Sequence, residues 1–429
     1  MLSRRTFVAQ TIVTGSLGLA GQFLAPGPVR GADWLGFRGP GGLGVAVGKE
    51  PPLEWSATSN VRWTASPPGA GNSSPIVVGS QIILAGYDGF NVPGSSSSSP
   101  EALTRYLAAL DRKTGKPLWK TNFPARLPEQ ESIRDEHGYA TNTPACDGKL
   151  IVAFFGKSGV AAFDLQGKQL WTADVGSGLN GWGSAASPLI HKDLVYINAS
   201  VESEQLIALD KKTGKEVWRA RGMKESWNTP VIVENPQGKE ELVLAIFGKL
   251  LAFDPSTGTP LWNCDTNISW YMVPGLVSHQ GIIYCIGGRT GGSLAVKSGG
   301  SGDVTDTHRV WVGKKGSNVS SPIYYEGHLY FAHEQLGIVY CADAKTGEIQ
   351  YEERLPRAAQ FYASPILAAR RVYYLGRNGR CFVVAAKPSF ELLATNDLEA
   401  GREVFNASPI ALDGELLIRS DRRLYCIGA

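Results

Sequence analysis

The sequence predicts an all-β chain folded as an eight-bladed β-propeller of four-stranded antiparallel blades. Three observations carry this: a proline-led phrase that recurs eight times, turn chemistry repeated inside that phrase, and a tryptophan at a fixed distance after the turn. Composition agrees, because 51 Gly and 25 Pro accompany 11 Trp, 15 Tyr and 15 Phe in 429 residues. Turn formers mixed with flat aromatics favour many short strands over helices.

The recurring phrase reads small or polar residue, Pro, apolar run, short turn, second apolar run. Its prolines are Pro75, Pro144, Pro188, Pro230, Pro274, Pro322, Pro365 and Pro409, spaced by 42 to 48 residues apart from one interval of 69. That period is the length of one four-stranded blade. The long interval holds two polar stretches, Gly89 to Pro100 and Thr121 to Gly138, read as loops added to the first blade, their role left open. In the third repeat, Ser187 to Ile190, Leu194 to Ile197, Gln205 to Asp210 and Glu216 to Trp218 read as four strands. The last two are joined by Asp210-Lys211-Lys212-Thr213-Gly214, where Asp caps its own turn and Gly supplies a positive φ. A proline at the start of the first strand is tolerated because that residue need not donate to the ladder.

The third and fourth strands of each repeat spell Ala-x-Asp-x-x-Thr-Gly-x-x-x-Trp. The phrase is complete at Ala109 to Trp119, Ala208 to Trp218 and Ala252 to Trp262; it is one residue shorter at Ala162 to Trp171, and ends in Tyr351 in the copy from Cys341. The copies near Ala295 and Ala385 have lost the Asp. The final repeat stops at Leu424-Tyr425-Cys426-Ile427 without a fourth strand, and Asn60 to Thr64 has the shape of the missing piece. Closing the ring with it removes open sheet edges. The domain reading is therefore an export signal over 1–32, an N-terminal arm over 33–59, and a propeller over 60–429 closed by a strand at 60–66.

This phrase resembles the tryptophan-docking repeat of pyrroloquinoline-quinone (PQQ) dehydrogenases and their relatives. The resemblance implies a structural role for Trp63, Trp119, Trp171, Trp218, Trp262 and Trp311, each stacked between adjacent blades. Burying one such indole is worth about 2 to 3 kcal/mol. The enzymes of that group need a Glu/Asn/Asp set for Ca²⁺ and a catalytic Asp, and many carry vicinal cysteines. No Cys-Cys pair exists in this chain, and those sets find no counterpart in it. No catalytic residue, metal ligand or cofactor is therefore expected, with PQQ and Ca²⁺ as the alternative. The chain is also similar to the BamB-type propellers of outer-membrane protein assembly, which share the eight blades, the size and the repeats. Those are lipid-anchored, whereas no cysteine here precedes Cys146, so neither a lipid anchor nor a transmembrane segment is expected.

At the N-terminus, Ser3-Arg4-Arg5-Thr6-Phe7-Val8 precedes an apolar run from Thr11 to Ala25, too short to span a bilayer. The pair resembles a twin-arginine export signal, with Ala9 where Lys is frequent; an ordinary secretory signal is the alternative. Cleavage is expected at Ala32, giving a periplasmic or otherwise exported monomer. A net charge of +3 with 19% charged residues argues against nucleic acid or an anionic membrane as partner. The six cysteines include no Cys-x-x-Cys and read as buried small side chains, a disulfide being the alternative. Of the histidines, His137 and His333 with Glu334 read as solvated loop residues.

The remaining signal lies three residues before each proline, one residue per blade around the axis: Asn72, Thr141, Ala185, Trp227, Tyr271, Val319, Tyr362 and Asn406. Asn142, Trp182, Asn228, Trp270, Asn318, Phe361 and Phe405 stand nearby. Unlike the docking tryptophans, these aromatics follow no fixed pattern from blade to blade. The candidate ligand-binding set is therefore Asn72, Asn142, Trp182, Trp227, Asn228, Trp270, Tyr271, Asn318, Tyr362 and Asn406, at one mouth of the central channel; plain channel filling is the competing reading. Rings beside amides suit a peptide or a sugar. The expected function is a non-enzymatic scaffold that binds a protein or other ligand, with a PQQ-dependent oxidoreductase and a carbohydrate-binding or carbohydrate-active propeller as alternatives.

Overall fold

The proline-led phrases mark where blades begin. In the computed structural model, which describes residues 33–95, 99–133 and 137–429, seven of the eight repeat prolines directly precede an innermost strand. The expected export signal over 1–32 lies outside the described residues.

Blade 1 is built from Ile76–Val78, Gln81–Asp88, Thr104–Asp111 and Pro117–Pro124, in that order from the axis outward. Blades 2 to 7 repeat the plan, opening with Ala145–Cys146, Leu189–His191, Val231–Glu234, Val277–His279, Ile323–Tyr325 and Ile366–Ala368. Blade 8 takes Ile410–Leu412, Glu415–Arg419 and Leu424–Ile427 from the C-terminus and Val61–Ala65 from the other end of the chain, with Trp63 opposite Cys426. Among the described residues blade 4 alone gains a fifth strand, Gly302–Asp303, paired in parallel with the strand Pro260–Asp265. Apolar side chains from neighbouring blades interlock as a chain of buried clusters around the ring.

Two belts of hydrogen bonds stitch the blades together. The inner belt uses the residue before each proline. The N–H groups of Ser74, Thr143, Ser187, Ser321, Ser364 and Ser408 each donate to the hydroxyl of the equivalent residue in the next blade, all at 3.0 Å, and Ser408 to Ser74 closes the circle. In blade 5 that residue is Val273, which has no hydroxyl to offer to the Thr229 N–H; Gly275 N–H takes over the donation to Ser321 at 2.9 Å.

The outer belt uses the docking tryptophans. The indole N–H groups of Trp63, Trp119, Trp171, Trp218 and Trp311 donate to Arg112, Leu165, Lys211, Pro255 and Ala344, each the carbonyl just after the turn Asp of the next blade, at 2.9 to 3.1 Å. Trp262 differs because blade 5 lacks the Asp turn, and its indole turns to Glu241 within its own blade at 2.7 Å. Tyr351 meets Phe390 edge-on, with ring centroids 5.5 Å apart.

The arm covers exposed inner edges. Trp34 pairs both ways with Val77 at 2.9 Å, Leu35 accepts from Cys146 N–H at 2.7 Å, and Ala46 donates to Leu367 O at 2.7 Å. Between them Arg38 is buried and donates to the repeat-proline carbonyls of Pro322 (2.5 Å) and Pro365 (3.2 Å). Burial lowers its pKa to about 9, which leaves it charged at neutral pH. Further along, Trp55 N–H bonds Asn396 Oδ1 at 2.9 Å and its ring stacks on Tyr373, so the arm also pins the outermost strand of blade 7.

The outer belt makes the turn glycines demanding. Gly214 sits at φ 70°, and a Cβ there would lie 2.5 Å from Trp171 Cε3, whereas Gly222, at φ 89°, has open space around it. Gly222→Ala should cost only backbone strain, about 1 to 2 kcal/mol. Gly214→Ala should cost that plus displacement of the indole, about 3 kcal/mol or more in all. Denaturant unfolding of the two variants checks this, and equal losses would mean the indole is not held against the turn.

Candidate functional site

In an antiparallel blade the loop from second to third strand and the loop from fourth strand to the next blade open at the same end of the ring. Both sets therefore surround one mouth of the channel. Behind it lies a cavity of about 270 Å³ lined by Trp182, Trp227, Trp270, Tyr271, Tyr362, Val273, Val319, Ala185, Asn318, His137, Arg289, Gln335 and Gln360. A deeper space of about 90 Å³ continues through Asn72, Thr141 and Asn406 to the hydroxyl belt, with Phe37 of the arm among its lining. The eight residues standing three before the prolines all line one or both spaces.

The aromatics are packed around Tyr271. Trp182, Trp227 and Trp270 lie with ring centroids 5.8, 5.7 and 5.1 Å from it, and Asn318 Nδ2 donates to its hydroxyl at 3.2 Å. Trp227 is buried and its indole N–H donates to Gly183 O at 2.8 Å, so it forms the wall, while Trp182, Trp270, Tyr271 and Tyr362 remain partly exposed. Guanidinium groups lie against two rings: Arg289 is 5.9 Å from the Trp270 ring and Arg377 is 4.7 Å from Tyr362. Arg377 is held there by Asn406 Oδ1 at 3.0 Å and Gln360 Oε1 at 2.8 Å.

Of the ten candidate binding residues, Trp182, Trp227, Trp270, Tyr271, Asn318 and Tyr362 meet at the mouth, and Asn72 and Asn406 lie deeper. Two do not join them. Asn228 is 1% exposed and its amide bonds Ala245 O (2.6 Å) and Ala245 N–H (3.1 Å), which fixes the loop to its own blade. Asn142 is buried and donates to Ala186 O at 2.6 Å, beside a separate small cavity. Both stand one residue after the channel-lining position, where the amide turns away from the channel, that of Asn142 toward the next blade and that of Asn228 into its own.

Sequence reasoning missed His137, Arg289, Gln335 and Gln360. His137, expected in solvated loop, stands in the cavity wall, its ring edge-on to Trp182 at 5.8 Å. Glu334, also expected to be solvated, is buried and accepts from Asn318 N–H at 2.9 Å. The signal for Arg289 and Gln335 was present, because both lie between second and third strands, and strand order alone sends those loops to the same mouth.

A calcium-bound quinone needs a hard-cation site of six or more oxygen ligands with carboxylates among them. Among the described residues neither space is lined by any Asp or Glu, and no group of three or more His, Cys, Asp or Glu suited to a metal exists among them. The donor set does not fit Ca²⁺. All six cysteines are buried as free thiols.

Eight antiparallel blades stitched by docked indoles, around an aromatic mouth, define a quinoprotein-type repeat propeller. The family model for the outer membrane protein assembly factor BamB matches residues 102–221 and 203–428, and the chain belongs to that family. The outer membrane protein assembly factor BamB of Burkholderia pseudomallei is 28% identical over 204 residues, a match spanning 47% of this chain and 44% of that relative. Among solved structures, BamB from Moraxella catarrhalis superposes with a TM-score of 0.60 at 14% identity, covering 85% of this chain and 98% of the other. Quinohemoprotein alcohol dehydrogenase from Comamonas testosteroni does so with a TM-score of 0.64 at 12% identity, covering 92% and 80%. At such identities the likeness concerns the fold.

The small cavity beside Asn142 holds Glu202 with Arg105, Glu129 and Lys157. Arg105 and Glu129 form a buried ion pair at 2.5 Å, and the buried Glu202 carboxyl lies beside it with Ser184 near by. Burial pushes the Glu202 carboxyl from 4.5 up to about 7, against the pull of a Ser184 hydrogen bond and with smaller, opposing effects from the Glu129 and Arg105 charges. The folded protein then holds a proton that the unfolded chain releases near 4.5, so stability falls as pH rises through this window and levels off above it. Glu202→Gln should therefore stabilise the protein by about 3 kcal/mol at pH 8 and by little at pH 4. Chemical denaturation at both pH values tests this, and an equal effect at the two would contradict it.

Proposed function

We propose that this chain is an exported, non-enzymatic scaffold that captures a segment of a partner protein in its aromatic mouth. The observation that carries the reading is the cavity itself: several rigid aromatic faces with amides between them, joined among the described residues by no carboxylate, metal set or nucleophile–base pair. Rigid rings give contact area at low entropy cost, and amides orient what binds. The surrounding loops support it, since Leu127, Leu179, Phe247 and Leu336, each at least 41% exposed, lie on connections that open at the same end. Exposed apolar groups around a concave site are typical of protein-binding surfaces.

Membership of a family whose model is described as an outer-membrane protein assembly factor supports a role in the cell envelope. The paired Arg4 and Arg5 support export by the twin-arginine route, and the closed ring supports a monomer. No helix of the described residues is long and apolar enough to cross a membrane.

A photo-crosslinking residue placed at Trp182 or Tyr362 in the native cell should give discrete protein adducts. The same residue at Leu170 or Val217, which are about half exposed on outermost strands far from the mouth, should give none. Adducts from the rim alone would place the working surface elsewhere, and adducts from neither set would remove the scaffold reading.

A further inference from the structure

An aromatic box of this kind would, by itself, suit an organic cation. The charges around it decide otherwise. Two of its rings already carry guanidinium groups, those of Arg289 and Arg377. Beneath and beside the channel, Arg38 and Arg419 are buried and donate to carbonyl and hydroxyl oxygens instead of carboxylates. Most arginines on the body of the ring are ion-paired, Arg62, Arg105, Arg112, Arg371 and Arg380 among them. No ion pair among the described residues includes Arg38, Arg289, Arg377 or Arg419. Glu334, next to the lining residue Gln335, is buried behind the wall on the Asn318 backbone. Among the described lining residues Arg289 is present and no carboxylate is, and a concave, low-dielectric site of that kind focuses a positive field on whatever enters it.

A second observation concerns hydrogen bonds. The lining residues Trp270 and Asn318 hold a buried donor, Nε1–H, and a buried acceptor, Oδ1, neither with a partner in the protein. Buried polar groups of this kind are costly unless a partner arrives. A peptide unit brings one acceptor and one donor together.

We infer that the segment captured at the mouth is an extended peptide carrying an acidic side chain beside an aromatic or large apolar one. This rests on the capture reading above. The apolar side chain enters the aromatic box, its peptide group answers Trp270 and Asn318, and the carboxylate meets Arg289, with Arg377 behind. Basic segments are excluded by the same field.

Two measurements test it on the full protein. Collisional quenching of tryptophan fluorescence needs no ligand: the part of the signal lost in Trp270→Phe should be quenched at least about threefold more by iodide than by caesium, and Arg289→Glu should reverse that order. Equal quenching by the two ions would overturn the charge argument. Selection of displayed random heptapeptides should then enrich an acidic residue within two positions of Trp, Phe, Tyr or Leu by about fivefold over the input. Arg289 is exposed, so Arg289→Glu should leave the fold intact and shift the preference toward basic residues. Peptides that depend on Trp270 but show no acidic preference would overturn this inference alone. Peptides indifferent to Trp270→Ala, or no recovered peptides, would overturn the capture reading and this inference with it.

Discussion

The constraint on which the rest of this molecule depends is the spacing of blades around the axis, set where each chain segment enters its innermost strand. The ring of a proline there clashes with the residue before it and holds that residue extended, with its own N–H directed sideways. In six blades that N–H finds a hydroxyl on the next blade at the same distance. Each bond contributes modestly, about 1 kcal/mol. Their repetition fixes radius and height together, and the docked indoles on the outside fix the tilt.

This arrangement leads directly to the candidate site. With the belt in place, the residue two positions ahead of each belt residue is delivered to the channel wall, whatever its identity. The sequence is then free to vary there, and it does: Asn, Thr, Ala, Trp, Tyr, Val, Tyr and Asn in turn. Several departures from the repeat occur together. Blade 5 lacks the belt hydroxyl and the Asp turn, Trp262 turns inward to Glu241, and the strand Gly302–Asp303 reaches back to reinforce blade 4. Trp227, Trp270 and Tyr271, the densest part of the aromatic cluster, sit at this same seam between blades 4 and 5. A repeat that breaks its own rules at one place, and braces that place by other means, is the pattern expected where function competes with regularity.

The fold was legible because it is written many times over. A proline, a turn and an indole at one period leave few architectures open, and even a degenerate copy such as that ending in Tyr351 keeps its place. The site was legible only in part. Residues with a fixed offset from the proline, such as Trp227, Tyr271 and Tyr362, could be placed on the wall by register. Asn142 and Asn228 lie one residue further on, where the side chain turns away from the channel, and amide chemistry alone does not reveal that turn. His137 and Arg289 escaped because they lie in loops that carry no motif, and their nearness to the mouth emerges only from the order of strands.

The measurement that tests this account most directly is native-state amide hydrogen exchange along the inner belt. If the blades are spaced by these bonds, the N–H groups of Thr143, Ser187, Ser364 and Ser408 should exchange only through global unfolding. Thr229, whose N–H meets Val273 in place of a hydroxyl, should exchange markedly faster than its counterparts. Fast exchange throughout the belt, or protection of Thr229 equal to that of the others, would contradict the claim that this ring of hydroxyls sets the geometry of the propeller and its mouth.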